Sequence, residues 1–193
     1  MTQKENGPAG DGAVEGKWTN TQYTEHSPDH QSRQDCFDRI PQELCDRLQW
    51  VVWRFEHASN QPRLTKVPYN PITRKHASST DARTWLDFIT CRDAVRAGGW
   101  DGIGFVLSEH DPYTFVDFDL PKDTQGNRID RPDILQRHLA AIRALASYTE
   151  ISPGGGLHVI VRGRVASGRK RDLVEVYSSG RFMTMTGNVW TPQ

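Results

Sequence analysis

Residues Gly102–Leu120 read GIGFVLSEHDPYTFVDFDL, and the fold class turns on them. Two runs of β-formers, GIGFVLS and TFVDFDL, flank the short polar EHDPY, which predicts a β-hairpin. Asp117 and Asp119 break the second run, which is otherwise apolar. Side chains alternate along a strand, so Asp117 and Asp119 share a face with Phe115, while Val116, Phe118 and Leu120 turn to the core. Two like charges roughly 6–7 Å apart on a strand repel, and burial raises the cost. A divalent cation would remove the repulsion, because Mg2+ and Mn2+ favour hard oxygen ligands. Two solvated aspartates on the wet edge of a sheet explain a bare D-x-D as well.

Working outward, the pattern begins at IPQELCDRLQW, a short helix with Pro41 at its start, which leads into the strand WVVWRF. A loop-rich segment carrying Lys66, Arg74 and Lys75 follows. A helix is then predicted with Thr80 or Asp81 as cap, with Trp85, Phe88, Ile89, Arg92 and Val95 on one face and Gly98–Gly99 as its stop. RPDILQRHLAAIRALAS predicts a second helix, capped by Asp130, with Leu135, Leu139, Ile142 and Leu145 facing the core. LHVIV, LVEVY and RFMTMTG read as further strands. Strands with short connections around two amphipathic helices favour an α+β fold over a regular βαβ wind. Residues 1–35, rich in Gly, Pro, Asn, Gln, Ser and charge, read as a disordered arm ahead of one domain over 36–193.

Composition narrows the function classes. Lys+Arg and Asp+Glu both number 24, so no overall field marks a nucleic-acid or membrane partner, and any such partner must show in local clusters. Three cysteines without a CxxC pair argue against a disulfide framework or a structural zinc site, and fit a reducing cytoplasm. No apolar run approaches the roughly 20 residues of a membrane span, and the N-terminus lacks a signal-peptide core.

Two more segments carry chemistry. In EISPGGGLHVIVRG, Gly154, Gly155 and Gly156 free the backbone for φ > 0, so successive N–H groups could face an anion. His158 follows at the start of a strand, where it could donate to a phosphate oxygen; a plain hairpin with a half-buried histidine is the alternative. The segment matches neither a P-loop nor a dinucleotide fingerprint. In LVEVYSSGRFMTMTGN, Glu175 lies mid-strand with Leu173 and Tyr177 on its face, and it completes a three-carboxylate cluster if that strand lies beside Asp117. Arg181 opens the next strand with a fork suited to a triphosphate. Between Arg162 and Arg181, six basic residues oppose two acids, a local excess that could contact phosphates.

In order and spacing, the strand D-x-D, then a helix, then S-P-G-G-G-L-H-V, then V-E-V-Y-S-S-G-R-F-M-T-M-T-G-N resemble the catalytic domain of primase-polymerases. These belong to the archaeo-eukaryotic primase superfamily, and the nearest likeness is to its phage, plasmid and mobile-element type. L-T-K-V-P-Y-N-P-x-T-R-K-H-A-S-S-T-D-A-R-T-W also looks like that group's lead-in, so the likeness covers roughly residues 45–190. The resemblance implies a modified RRM-like mixed or antiparallel sheet flanked by helices, with the site on its open face. It implies Asp117, Asp119 and Glu175 as ligands of two Mg2+ or Mn2+ ions, His158 on the phosphates of the incoming nucleotide, and Arg181 on the triphosphate. Relatives place Ser or Lys near this histidine; here Ser152, the three glycines and a basic residue such as Lys66 or Arg169 would take over. The implied activity is template-dependent nucleotidyl transfer on a single-stranded DNA template with dNTPs or NTPs, in the cytoplasm of a bacterial or archaeal cell. Trp53, Tyr69 and Tyr177 are candidate base stackers. Relatives continue into a helical accessory region and often a helicase, so the chain is expected to be a catalytic core cut from a longer system. The rival readings are a metal-dependent nuclease and a non-catalytic single-strand-binding module.

Overall fold

The computed structural model describes residues 36–57 and 64–191; the arm expected over residues 1–35 lies outside them. A 3₁₀ turn (Cys36–Arg39) and a one-turn helix α1 (Gln42–Cys45) lead into strands β1 (Trp50–His57) and β2 (Leu64–Tyr69). Helix α2 (Phe88–Arg96) follows, then β3 (Gly102–Leu107), β4 (Tyr113–Phe118) and helix α3 (Pro132–Leu145). Strands β5 (Tyr148–Ile151), β6 (Leu157–Arg162), β7 (Arg169–Arg171), β8 (Val174–Tyr177) and β9 (Arg181–Met185) complete the order. The fold is α+β, as expected.

The strands form two antiparallel sheets where one had been expected: β2-β1-β3-β9 and β5-β6-β4-β8-β7. The predicted hairpin between β3 and β4 does not form. β3 pairs with β1 and β9, whereas β4 pairs with β6 and β8. The cause lies in the connection. Asp111, 2% exposed, accepts from the backbone N–H of Ser108 at 2.7 Å and of Tyr113 at 2.8 Å, and from Gln49 Nε2 at 2.8 Å. Gln49 also donates to the Val106 carbonyl, so one buried amide and one buried carboxylate set where the chain leaves one sheet for the other.

The largest core joins both sheets and α2. Trp50 and Val52 of β1, Ile103 and Phe105 of β3, Phe115 of β4 and Ile160 of β6 pack with Phe88, Cys91 and Val95. On the far face of the five-stranded sheet, Val116, Phe118, Leu157 and Val159 meet Leu139 and Ile142 of α3. That contact assigns Val116 and Phe118 to the core and leaves Asp117 on the opposite face. Both helices start later than their sequence suggests. Asp81 caps only a 3₁₀ turn (Ala82–Thr84), and α2 is capped by Asp87, whose carboxylate accepts from Thr90 N–H at 2.8 Å. Ile89 is consequently exposed rather than on the core face. Helix α3 has no side-chain cap from Asp130; Arg131 precedes it and Pro132 opens it, and Leu145 at its end is exposed. The basic segment after β6 is not all loop, because Arg169–Arg171 pair with Val174–Val176.

Candidate active site

The register of the five-stranded sheet builds the site. Asp117 on β4 stands opposite His158 on β6 and opposite Glu175 on β8. His158 in turn stands opposite Glu150 on β5, and Glu175 opposite Lys170 on β7. One row therefore crosses all five strands: Glu150, His158, Asp117, Glu175, Lys170. Residues directly opposite in such a ladder have Cβ atoms about 4.5–5.5 Å apart. Asp119 falls just past the end of β4; its N–H donates to the Leu173 carbonyl at 2.8 Å, which keeps the backbone in line, and its side chain is exposed. The two aspartates and Glu175 thus lie on neighbouring strands, with the histidine on Asp117's other side.

Charges along this row are unevenly compensated. Burial pushes the Asp117 carboxyl up, Asp119 and Glu175 push it the same way, and His158 and Lys66 oppose them. One Asp117 oxygen, Oδ1, is buried without a hydrogen bond and faces His158 Nε2 at 3.7 Å. On His158 the other ring nitrogen, Nδ1, lies 3.2 Å from Glu150 Oε1. Glu175 is pushed up by partial burial, but bonds from Lys170 Nζ and Tyr177 Oη prevail and hold it below the ordinary glutamate range. Both Glu175 oxygens thus have donors of their own. Among the described residues, no group of three His, Cys, Asp or Glu side chains is drawn together as a ready metal cage. The donor chemistry still suits a hard cation: oxygen ligands on adjacent strands, one of them an unsatisfied buried oxygen.

Basic side chains surround the acids. Lys66 reaches over from the other sheet, its ammonium 3.3 Å from Thr184 Oγ1; burial lowers its pKa, and Asp117 and Asp119 hold it up. Arg181 is exposed and lies over the Tyr177 ring at 4.8 Å, close enough to help lower Glu175. Arg128 donates to the Gly154 carbonyl at 3.2 Å, which places a guanidinium at the glycine turn. Arg169 is exposed on β7, opposite Val176.

The glycine turn has a steric role that its sequence only hinted at. Ser152, which is buried, accepts at its carbonyl from Gly155 N–H at 2.9 Å and donates its own N–H to the Gly156 carbonyl at 2.8 Å. Gly155 adopts φ +83° there. A Cβ on Gly156 would lie 2.3 Å from the Phe118 carbonyl oxygen, so only glycine lets this strand pass the end of β4. Gly155's N–H is spent inside the turn rather than offered to an anion. Of the candidate stackers, Trp53 and Tyr69 are buried core residues; Tyr177 is half-buried beside Glu175.

Sequence reasoning missed Glu150, Lys170 as the partner of Glu175, and Arg128. The first had a usable signal. Residues 152–156 form the hairpin turn, so counting outward pairs Ile151 with Leu157 and then Glu150 with His158.

No family model matches the chain. The chain is similar to the DNA primase-polymerase of Nitratiruptor phage NrS-1, with 40% identity over 150 residues. The match takes in 74% of this chain and spans 19% of the length of the phage protein.

Proposed function

We propose, from that likeness and from the row of charges on β4 to β8, that this domain is of the primase-polymerase type and catalyses template-directed nucleotidyl transfer. In that reaction a 3′-hydroxyl oxygen joins the α-phosphorus of a dNTP or NTP and pyrophosphate leaves. The observation that carries the reading is Asp117 itself. An aspartate raised by burial, with one oxygen lacking any hydrogen bond and a histidine beside it, is costly to keep unless it has work to do.

Asp117, Asp119 and Glu175 are the residues that would hold Mg2+ or Mn2+, which when bound would ease deprotonation of the attacking hydroxyl and neutralise the departing pyrophosphate. The chain's own groups do the rest. His158 presents Nε2 beside Asp117, on the side of the site where the nucleotide would bind. Lys66 of β2, Arg128 at the glycine turn and Arg181 of β9 would hold the triphosphate by charge, which fixes the α-phosphorus against the attacking oxygen. The exposed basic residues of β7 and its flanks give a single-stranded template a phosphate-binding edge.

The test is extension of a single-stranded DNA template with labelled dNTPs or NTPs and Mg2+ or Mn2+, with and without a primer. Synthesis that disappears in Asp117→Ala and Asp119→Ala supports the reading. Undiminished synthesis in those variants refutes the assignment of the acids, and template cutting without nucleotide binding would make the domain a nuclease. A metal-dependent rise in melting temperature, lost in Asp117→Asn, reads cation binding without any turnover.

A further inference from the structure

Among the described residues, the least exposed acid lies on β5, across β6 from Asp117. Glu150 is 0% exposed, and all its acceptor capacity is spoken for. Oε1 accepts from Thr186 N–H at 3.0 Å and meets His158 Nδ1 at 3.2 Å. Oε2 accepts from Gly187 N–H at 2.9 Å and from Tyr148 Oη at 2.8 Å. The two backbone donors come from the segment that follows β9, which turns back to pair along β5: Ile151 N–H donates to Asn188 and Trp190 N–H to Thr149. Gly187 makes this possible. Its φ is +66°, and a Cβ there would lie 2.1 Å from the Cys36 carbonyl oxygen.

We propose that Glu150 is a positioning residue for His158: it holds the proton on Nδ1, fixes the plane of the ring, and leaves Nε2 turned toward Asp117 and the site. The argument is one of donors and acceptors. An ionised carboxylate oxygen can only accept, so the nitrogen beside Oε1 must be the donor. Which nitrogen of a histidine carries the proton is set by the partner of the other one, and that partner here cannot rotate away. Three donors other than the histidine fix the carboxylate, and Phe115 packs edge-on to the imidazole with centroids 4.7 Å apart. A buried anion with four partners costs less than one with three, but a purely structural carboxylate would have no need of a ring whose far nitrogen points at the site. The catalytic part of this inference rests on the nucleotidyl-transfer reading; the tautomer does not.

The experiment has two arms. In 15N-histidine NMR of the full chain without nucleotide, with the His158 signals identified by their loss in His158→Ala, Nδ1 is expected to carry hydrogen in the parent protein. A parent His158 protonated at Nε2 alone overturns the proposal outright, whether or not the protein polymerises. In Glu150→Gln the tautomer population is expected to move toward Nε2–H. The second arm is a kinetic cycle. Glu150→Gln should slow nucleotide incorporation about 10- to 100-fold, the range seen when the outer partner of an oriented histidine is changed. In a His158→Ala background the same change should cost less than about 2-fold, because the residue it acts through is gone. Equal losses in both backgrounds would make Glu150 a structural residue only. A chain with the expected tautomer but no synthesis would sink the proposed function and leave this assignment standing.

Discussion

Replacing Gly156 with alanine tests the close approach on which the site depends. The glycine has no positive φ, so backbone strain is not at issue; only space is. The new methyl would sit 2.3 Å from the Phe118 carbonyl oxygen and 3.3 Å from the Asp119 Cα. The first distance is roughly 1 Å short of ordinary contact. Neither atom belongs to a side chain that can swing aside, so β6 and the end of β4 must part. Forcing a methyl into such packing costs about 1–3 kcal/mol. For a chain of this size that lowers the melting temperature by about 2–4 °C per kcal/mol. Because Asp119 rides on the displaced backbone, incorporation should fall by about 100-fold, the cost of misplacing a reacting group by an ångström. Gly154→Ala is the matched control: its nearest neighbour would be Ser152 Oγ at 3.8 Å, and its stability should stay within about 0.5 kcal/mol of the parent. Thermal melts and primer extension are measured on both. If Gly156→Ala melts and extends like Gly154→Ala, the close approach does not shape the site and the reasoning fails.

Three more outcomes follow from the same geometry. Asp111→Ala strands the donors of Ser108, Tyr113 and Gln49, each costing about 1–3 kcal/mol when buried, so denaturant unfolding should show a loss of at least about 3 kcal/mol. Asp87→Ala removes the α2 cap and should cost about 1 kcal/mol near neutral pH. The Thr90 N–H chiefly holds Asp87 below its ordinary pKa of 3.8, so the cap's contribution is present above that value and lost as pH falls through the lowered one. The parent and Asp87→Ala stabilities should therefore converge in acid; a gap that widens there contradicts the assignment. Lys170→Met breaks an ion pair whose lysine side chain is 64% exposed, so stability should change by less than about 0.5 kcal/mol. Freeing Glu175 from a cation should tighten Mn2+ binding about 5-fold by calorimetry, the effect of about 1 kcal/mol of screened charge; weaker binding would show that Lys170 does not restrain that acid.

How much of this was legible in the residues depended on the range of the interaction. Period-2 alternation correctly put Asp117 opposite in sense to Val116 and Phe118, and the apolar runs gave β6, β8 and β9, whereas β5 and the short β7 were not among the expected strands. Two acids within seven residues, Asp81 and Asp87, both turned out to be caps, and only the second caps the helix. The misread hairpin shows the limit more clearly. EHDPY has the length of a hairpin turn, but a buried Asp111 spends its acceptors on Gln49, far back along the chain, and the two strands go to different sheets. Lys66 could be suspected and not placed, because nothing local says that a strand of one sheet delivers its ammonium to the acids of the other. Glu150 was readable by counting from the glycine turn, yet a single acid between apolar residues gives no reason to count.

Gly187 has one more consequence, for protein engineering. Its contact with Cys36 brings the first and last stretches of the described domain side by side, because the 3₁₀ turn at Cys36–Arg39 lies against the backbone at residue 187. The order of the strands is thus nearly a closed circuit. A short linker from the end of that circuit back to residue 36, with a new opening at the exposed turn around Gly126, would give a circular permutant that keeps every strand pairing and the cradle of Glu150. A boundary drawn instead after Met185 would preserve every strand of both sheets and still remove both backbone donors to that carboxylate.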